Sequence, residues 1–156
     1  MIFIKVDQED SDTMNQEVID CESPFDEVTE NGTTITSTNY PSNYENSQDC
    51  QATIRFASDE IVRITFEAFD VEEHDDCIYD YLEIHDGDGT SSPSIGSKLC
   101  GTGPLGNTLH STGNVMTLHF HSDYSGAETG FKALVRVIKG KLICQIFENK
   151  DNFDCL

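Results

Sequence analysis

From Cys21 onward the chain reads as short runs in which apolar and polar residues alternate, broken by turn residues. Alternation with period two places every second side chain on one face, the mark of a half-buried strand. Thr33-Thr34-Ile35-Thr36-Ser37 is rich in β-branched residues. Cys50 to Phe56 alternates, with Ala52, Ile54 and Phe56 on one face. Ile61 to Phe66 is a second such strand, and Tyr79 to His85 a third, closed by the turn signal Asp86-Gly87-Asp88-Gly89. In Val115 to Phe120 the pattern points Met116, Leu118 and Phe120 inward, and Val115, Thr117, His119 and His121 outward. Phe131 to Ile138 closes the series. No segment carries a 3.6-residue period, so the expectation is all-β: a sandwich of two antiparallel sheets. The pattern sets domain limits as well. Residues 1–20 read as a flexible acidic arm, 21–138 as the folded module, and 139–156 as a tail or the start of a following segment.

Composition narrows the setting. The 156 residues hold 29 Asp plus Glu against 9 Lys plus Arg, a formal charge of −20. Such a surface repels phosphate backbones, which argues against nucleic acid, and attracts divalent cations and basic protein patches. No run of 18 apolar residues is present, so no membrane-spanning helix is expected. The six cysteines are Cys21, Cys50, Cys77, Cys100, Cys144 and Cys155. An even count at wide spacing without a CxxC pair favours disulfides over a zinc site, with 15 pairings open. Disulfides and the glycosylation sequon Asn31-Gly32-Thr33 point to a secreted protein. Residues 1–20 lack the apolar core of a signal peptide, so the expectation is a start that lies further upstream.

The candidate chemistry is carboxylate chemistry. Phe69 to Ile84 carries seven acidic residues around Cys77, and a second acidic turn lies at His121-Ser122-Asp123-Tyr124-Ser125-Gly126. Oxygen ligands drawn from distant loops of a disulfide-bonded chain suit calcium, which can pin those loops into a binding surface.

Other motifs fail on their context. Gly101 to Gly106 matches GxGxxG, but Pro104 and the adjacent Cys100 argue against a helix opening there. Asp86-Gly87-Asp88-Gly89-Thr90 begins like an EF-hand loop, yet Ser91 and Ser97 stand where glycine and glutamate are required. Outward His119 and His121 offer a zinc or copper pair, although two outward histidines are more often simply exposed. Glu73-His74-Asp75 has catalytic residue types without triad geometry, and neither a nucleophile elbow nor HExxH occurs. The chain is not expected to be an enzyme.

Taken in order, Thr38-Asn39-Tyr40-Pro41, Tyr44, Phe66 to Asp70, Cys77 to Ile84, Asp86-Gly87, Leu99-Cys100-Gly101, Leu118 to Asp123 and Thr129-Gly130-Phe131 form a specific series of landmarks. With these the chain resembles the CUB domain over about Cys21 to Ile138. The resemblance implies a jelly-roll β-sandwich with bridges Cys21–Cys50 and Cys77–Cys100. It leaves Cys144 and Cys155 unexplained, and Cys21-Glu22-Ser23 departs from the family's usual Cys-Gly-Gly.

The calcium-binding subset of that family implies a site here at Glu72, Asp80 and Asp123, with backbone carbonyls near Ser125 and Gly126. Tyr44 would hold the Glu72 carboxylate by a hydrogen bond without ligating. Extracellular modules bind calcium at ~10⁻⁴–10⁻³ M. The resemblance further implies capture of a partner's Lys or Arg, with Glu73, Asp75, Asp76 and Tyr124 as the rim. The expected function is thus a secreted calcium-dependent protein-recognition module. The alternatives are an acidic matrix or biomineral-associated structural protein and, more weakly, a non-catalytic protease module or a spermadhesin-like carbohydrate binder.

Overall fold

The computed structural model describes residues 16–18 and 26–139. Its strands are β1 (Gln16–Val18), β2 (Asp26–Val28), β3 (Thr34–Thr36), β4 (Asp49–Arg55), β5 (Glu60–Asp70), β6 (Tyr81–His85), β7 (Thr108–His110), β8 (Val115–His121) and β9 (Gly130–Lys139). They form a five-stranded sheet ordered β1-β3-β9-β5-β7 and a four-stranded sheet ordered β2-β4-β8-β6. Within each sheet the central pairings are antiparallel; only the three-residue edge strands β1 and β2 pair parallel, with β3 and β4. Gln16–Val18, read from sequence as part of the acidic arm, thus joins a sheet edge.

The core is the alternating set. Ala52 and Ile54 of β4, Leu82 and Ile84 of β6, and Met116, Leu118 and Phe120 of β8 are buried against Ile35, Val62, Ile64, Phe66, Phe131, Ala133 and Val135 of the other sheet. Two sheets each hydrophobic on one face have this as their stable solution.

Two departures from simple alternation shape the functional end. Strand β5 runs to Asp70, past the Phe66 limit read from the pattern, and carries a bulge between Phe66 and Ala68. The extra residue flips the inward face from Val62, Ile64 and Phe66 to Phe69 and Val71. Phe69 and Val71 are thereby buried, and Glu72, directly after Val71, is delivered to the sandwich end. The second departure is Thr117, expected outward but fully buried. Its hydroxyl donates to the Gly87 carbonyl at 2.8 Å and accepts from the Gly89 amide at 2.9 Å. The loop after β6 folds over this face and covers it.

Cys77 and Cys100 are bridged, with Cα atoms 5.6 Å apart. Cys50 is also disulfide-bonded. Cys21, Cys144 and Cys155 lie outside the described residues.

Candidate metal centre

Three connections meet at one end of the sandwich. Glu72 follows β5, Asp80 precedes β6 and Asp123 follows β8. One carboxylate oxygen from each lies within 4.8 Å of the other two. These residues are 51 positions apart at the extremes (123 − 72), so the sheets, not local sequence, bring them together.

Asp80 is fully buried and its two oxygens are both engaged. Oδ2 accepts from the Tyr44 hydroxyl at 2.6 Å, and Oδ1 accepts from the Asp123 amide at 2.7 Å. The Tyr44 oxygen also accepts from the Glu72 amide at 3.1 Å. Tyr44 therefore ties Glu72 backbone to Asp80 side chain. The expected hydrogen bond to the Glu72 carboxylate is replaced by one to Asp80, because the tyrosine oxygen reaches the buried carboxylate first. Burial and then the bond to Asp80 push the Tyr44 hydroxyl well above its ordinary value, so it stays a donor.

Tyr44 is itself fixed by the core. Its ring packs edge-on to Phe120 at 5.0 Å, and Phe120 meets Phe131 at 5.8 Å. The loop around it is stitched to the Asp123 turn: Ser47 N–H donates to the Asp123 carbonyl, Gln48 N–H to Ser122 Oγ, and Ser122 Oγ to the Glu45 carbonyl. Asp123 Oδ1 accepts from the Ser125 amide at 2.8 Å, which shapes the turn.

Glu72 is the unbalanced member. Its Oε2 is buried without a hydrogen-bond partner. Burial, then the charges of Asp80, Asp123 and Glu128, raise its carboxyl above the ordinary value, only partly opposed by His74. Gly126, at φ +84°, lies against it: a Cβ there would stand 2.2 Å from Glu72 Oε1. A buried carboxylate oxygen lacking a donor, two further carboxylates and a glycine cradle suit an all-oxygen ligand set for a hard divalent cation.

The sequence-predicted rim divides. Glu73, Asp75 and Asp76 are exposed, and Glu73 and Asp75 line an open groove of about 440 Å³ with His74, Lys98, Thr102 and Pro104. Tyr124, 83% exposed, is the most prominent apolar side chain of the Asp123 turn. Ser125 and Gly126 are exposed beside it. Glu128, whose charge acts on Glu72, escaped the sequence reading; its only signal was acidity close behind Gly126. His119 and His121 both reach Asp49, at 2.7 and 3.4 Å.

Fold and site together define an all-β, disulfide-bonded module with a carboxylate cluster at one end of its sandwich. The family model described as CUB domain matches residues 21–134, and the chain belongs to the CUB domain family. This is a non-catalytic module family found in extracellular proteins. The chain is 40% identical over 100 residues to the bone morphogenetic protein 1 homolog of Strongylocentrotus purpuratus, a match covering 64% of this chain and 15% of that relative. The full extracellular region of zebrafish Gpr126/Adgrg6 superposes with a TM-score of 0.67 and 37% identity, over 75% of this chain and 15% of that one. The MASP-1 CUB2 domain bound to Ca2+ superposes with a TM-score of 0.62 and 32% identity, over 71% of this chain and 96% of that domain. Among the described residues no helix is long and apolar enough to cross a membrane.

Proposed function

We propose that this chain is a secreted CUB module that binds calcium at Glu72, Asp80 and Asp123 and uses the organised loops to capture a basic side chain of an extracellular partner. The observation that carries the reading is the Glu72 carboxylate: its Oε2 is buried with no hydrogen bond, and one of its oxygens lies within 4.8 Å of oxygens of Asp80 and Asp123. A divalent cation turns that mutual repulsion into attraction. The calcium-bound MASP-1 CUB2 domain, similar over most of its length, supports the choice of ion.

In this reading Glu72, Asp80 and Asp123 hold the ion, the Asp123–Gly126 turn offers its carbonyls, and Tyr44 holds Asp80 in place. The ion supplies positive charge that fixes the three loops relative to one another. Glu73, Asp75, Asp76 and Tyr124 then form an acidic and aromatic rim for a Lys or Arg of the partner. The module extends over 21–138 and takes in the edge strand Gln16–Val18 as well. Asn31 would carry a glycan: it is exposed, and its Oδ1 accepts from the Val137 amide while Nδ2 remains available.

The test is calcium titration by calorimetry on the disulfide-bonded chain, beside Asp123→Ala. One site at ~10⁻³ M or tighter, lost in the variant, is expected. Diffuse uptake of many ions, indifferent to Asp123, would favour instead an acidic matrix or mineral-associated protein, the reading motivated by the charge of −20.

A further inference from the structure

A second cluster of ligand types lies on the outward face of the four-stranded sheet. Glu83 and His85 of β6 and His119 of β8 each place one donor atom within 4.8 Å of the other two. The register explains the grouping. Glu83 is directly opposite His119, and His85 is two positions along the same face of β6, so direct and diagonal cross-strand neighbours converge.

His85 is the informative member. It is 4% exposed although it faces away from the core. The loop after β6 covers it: Asp86 N–H donates to the Pro93 carbonyl, and His85 bridges to Ser94. Its Nδ1 lies 3.0 Å from the Ser92 carbonyl, a group that only accepts, so Nδ1 carries a proton. The other nitrogen, Nε2, is buried with no hydrogen-bond partner and points to Glu83, whose Oε2 stands 3.7 Å away. A buried polar nitrogen left in that condition is costly unless something else engages it.

The neighbours are oriented in the same sense. Glu83 Oε1 accepts from Ser94 Oγ at 2.8 Å, which leaves Oε2 toward His85. His119 Nε2 is held at 2.7 Å by Asp49 Oδ1, the carboxylate–imidazole pairing that orients a ligand histidine and leaves its other ring nitrogen for a metal.

We propose that Glu83, His85 and His119 form a site for a zinc-class transition-metal ion, separate from the calcium cluster and with Asp49 as the residue positioning His119. Two imidazoles and one carboxylate are a ligand set that zinc takes and that calcium, which wants oxygens only, does not. Tetrahedral zinc with ligands at about 2.0–2.1 Å holds its donor atoms roughly 3.4 Å apart, close to the separation of His85 and Glu83. Three protein ligands leave a fourth position for water or a partner's side chain. The ion would also tie β6 to β8 beneath the loop 86–94.

The test is titration of the intact disulfide-bonded chain with Zn2+ in saturating calcium, followed by calorimetry, with Co2+ as a spectroscopic stand-in. One zinc per chain and the visible absorption of tetrahedral cobalt are expected. Asp49→Asn should weaken binding ~10–100-fold, the usual effect of losing such a positioning carboxylate. Glu83→Gln and His85→Gln should each remove the stoichiometric site and the cobalt band. If His85→Gln does not fold, Glu83→Gln decides, because the Glu83 side chain is partly at the surface. Failure of the folded wild type to take up one zinc, or uptake unchanged in Glu83→Gln, would overturn the proposal.

Discussion

The Tyr44 hydroxyl donates to Asp80 Oδ2 at 2.6 Å and, through the same oxygen, accepts the Glu72 amide at 3.1 Å. One buried phenol thus joins two of the three carboxylate-bearing segments, and its ring anchors both to Phe120 in the core. The candidate metal centre is an extension of the hydrophobic sandwich.

Tyr44→Phe keeps the ring and removes that link. It leaves Asp80 Oδ2 and the Glu72 amide without their partner, a loss of about 1–3 kcal/mol. The expected outcome is a lower denaturation midpoint at unchanged fold, with weaker calcium binding, read by thermal unfolding with and without calcium.

Gly126→Ala probes the cradle. A methyl group at 2.2 Å from Glu72 Oε1, on a backbone at φ +84°, forces the turn or the glutamate to move. Calcium affinity should fall at least tenfold (about 1.4 kcal/mol), while the circular dichroism of the sandwich stays the same. Gly113→Ala is the control, since a Cβ there meets nothing within 4 Å.

Glu72 has a pH signature when calcium is chelated. Its carboxyl is raised in the folded protein, so between the ordinary value of 4.5 and the raised one the native state binds more protons than the unfolded state. Stability contributed by this group is therefore present at low pH and is lost as pH rises through that window. Denaturation midpoints of the chelated protein should show this trend in the difference between wild type and Glu72→Gln, which no longer titrates. A wild-type-minus-variant difference that is flat or of opposite slope would contradict the assignment.

The bridge Cys77–Cys100, with sequence separation 23, constrains the loop that bears Asp80. In the loop-entropy model it contributes about 3.5 kcal/mol. The double variant Cys77→Ala/Cys100→Ala should lose most of this in denaturant titration and lose calcium affinity with it.

How much of this was legible beforehand differs from strand to strand. The long strands β4, β8 and β9 were plain in the alternation, because a sheet with one buried face must repeat with period two. The three-residue strands β1, β2 and β7 are too short to show any period, and they exist by pairing with neighbours. The bulge in β5 was invisible because an extra residue looks like an interruption until the partner strand shows where the register resumes.

The residue types at the site were also readable: Glu72, Asp80, Asp123 and Tyr44 stand among landmarks that resemble a family with such a site. Which oxygen meets which was not. That Tyr44 bonds Asp80, that Glu72 keeps a bare buried oxygen, and that His85 turns to Glu83 and His119 follow from cross-strand register and loop cover. Periodicity states which face a side chain takes. It does not state which strand lies alongside or which loop closes over it, since contacts between residues tens of positions apart are chosen by packing the whole sandwich at once. By itself the sequence determined an acidic, disulfide-bonded β-sandwich with carboxylates in its loops; only the tertiary structure decided how those carboxylates and histidines converge.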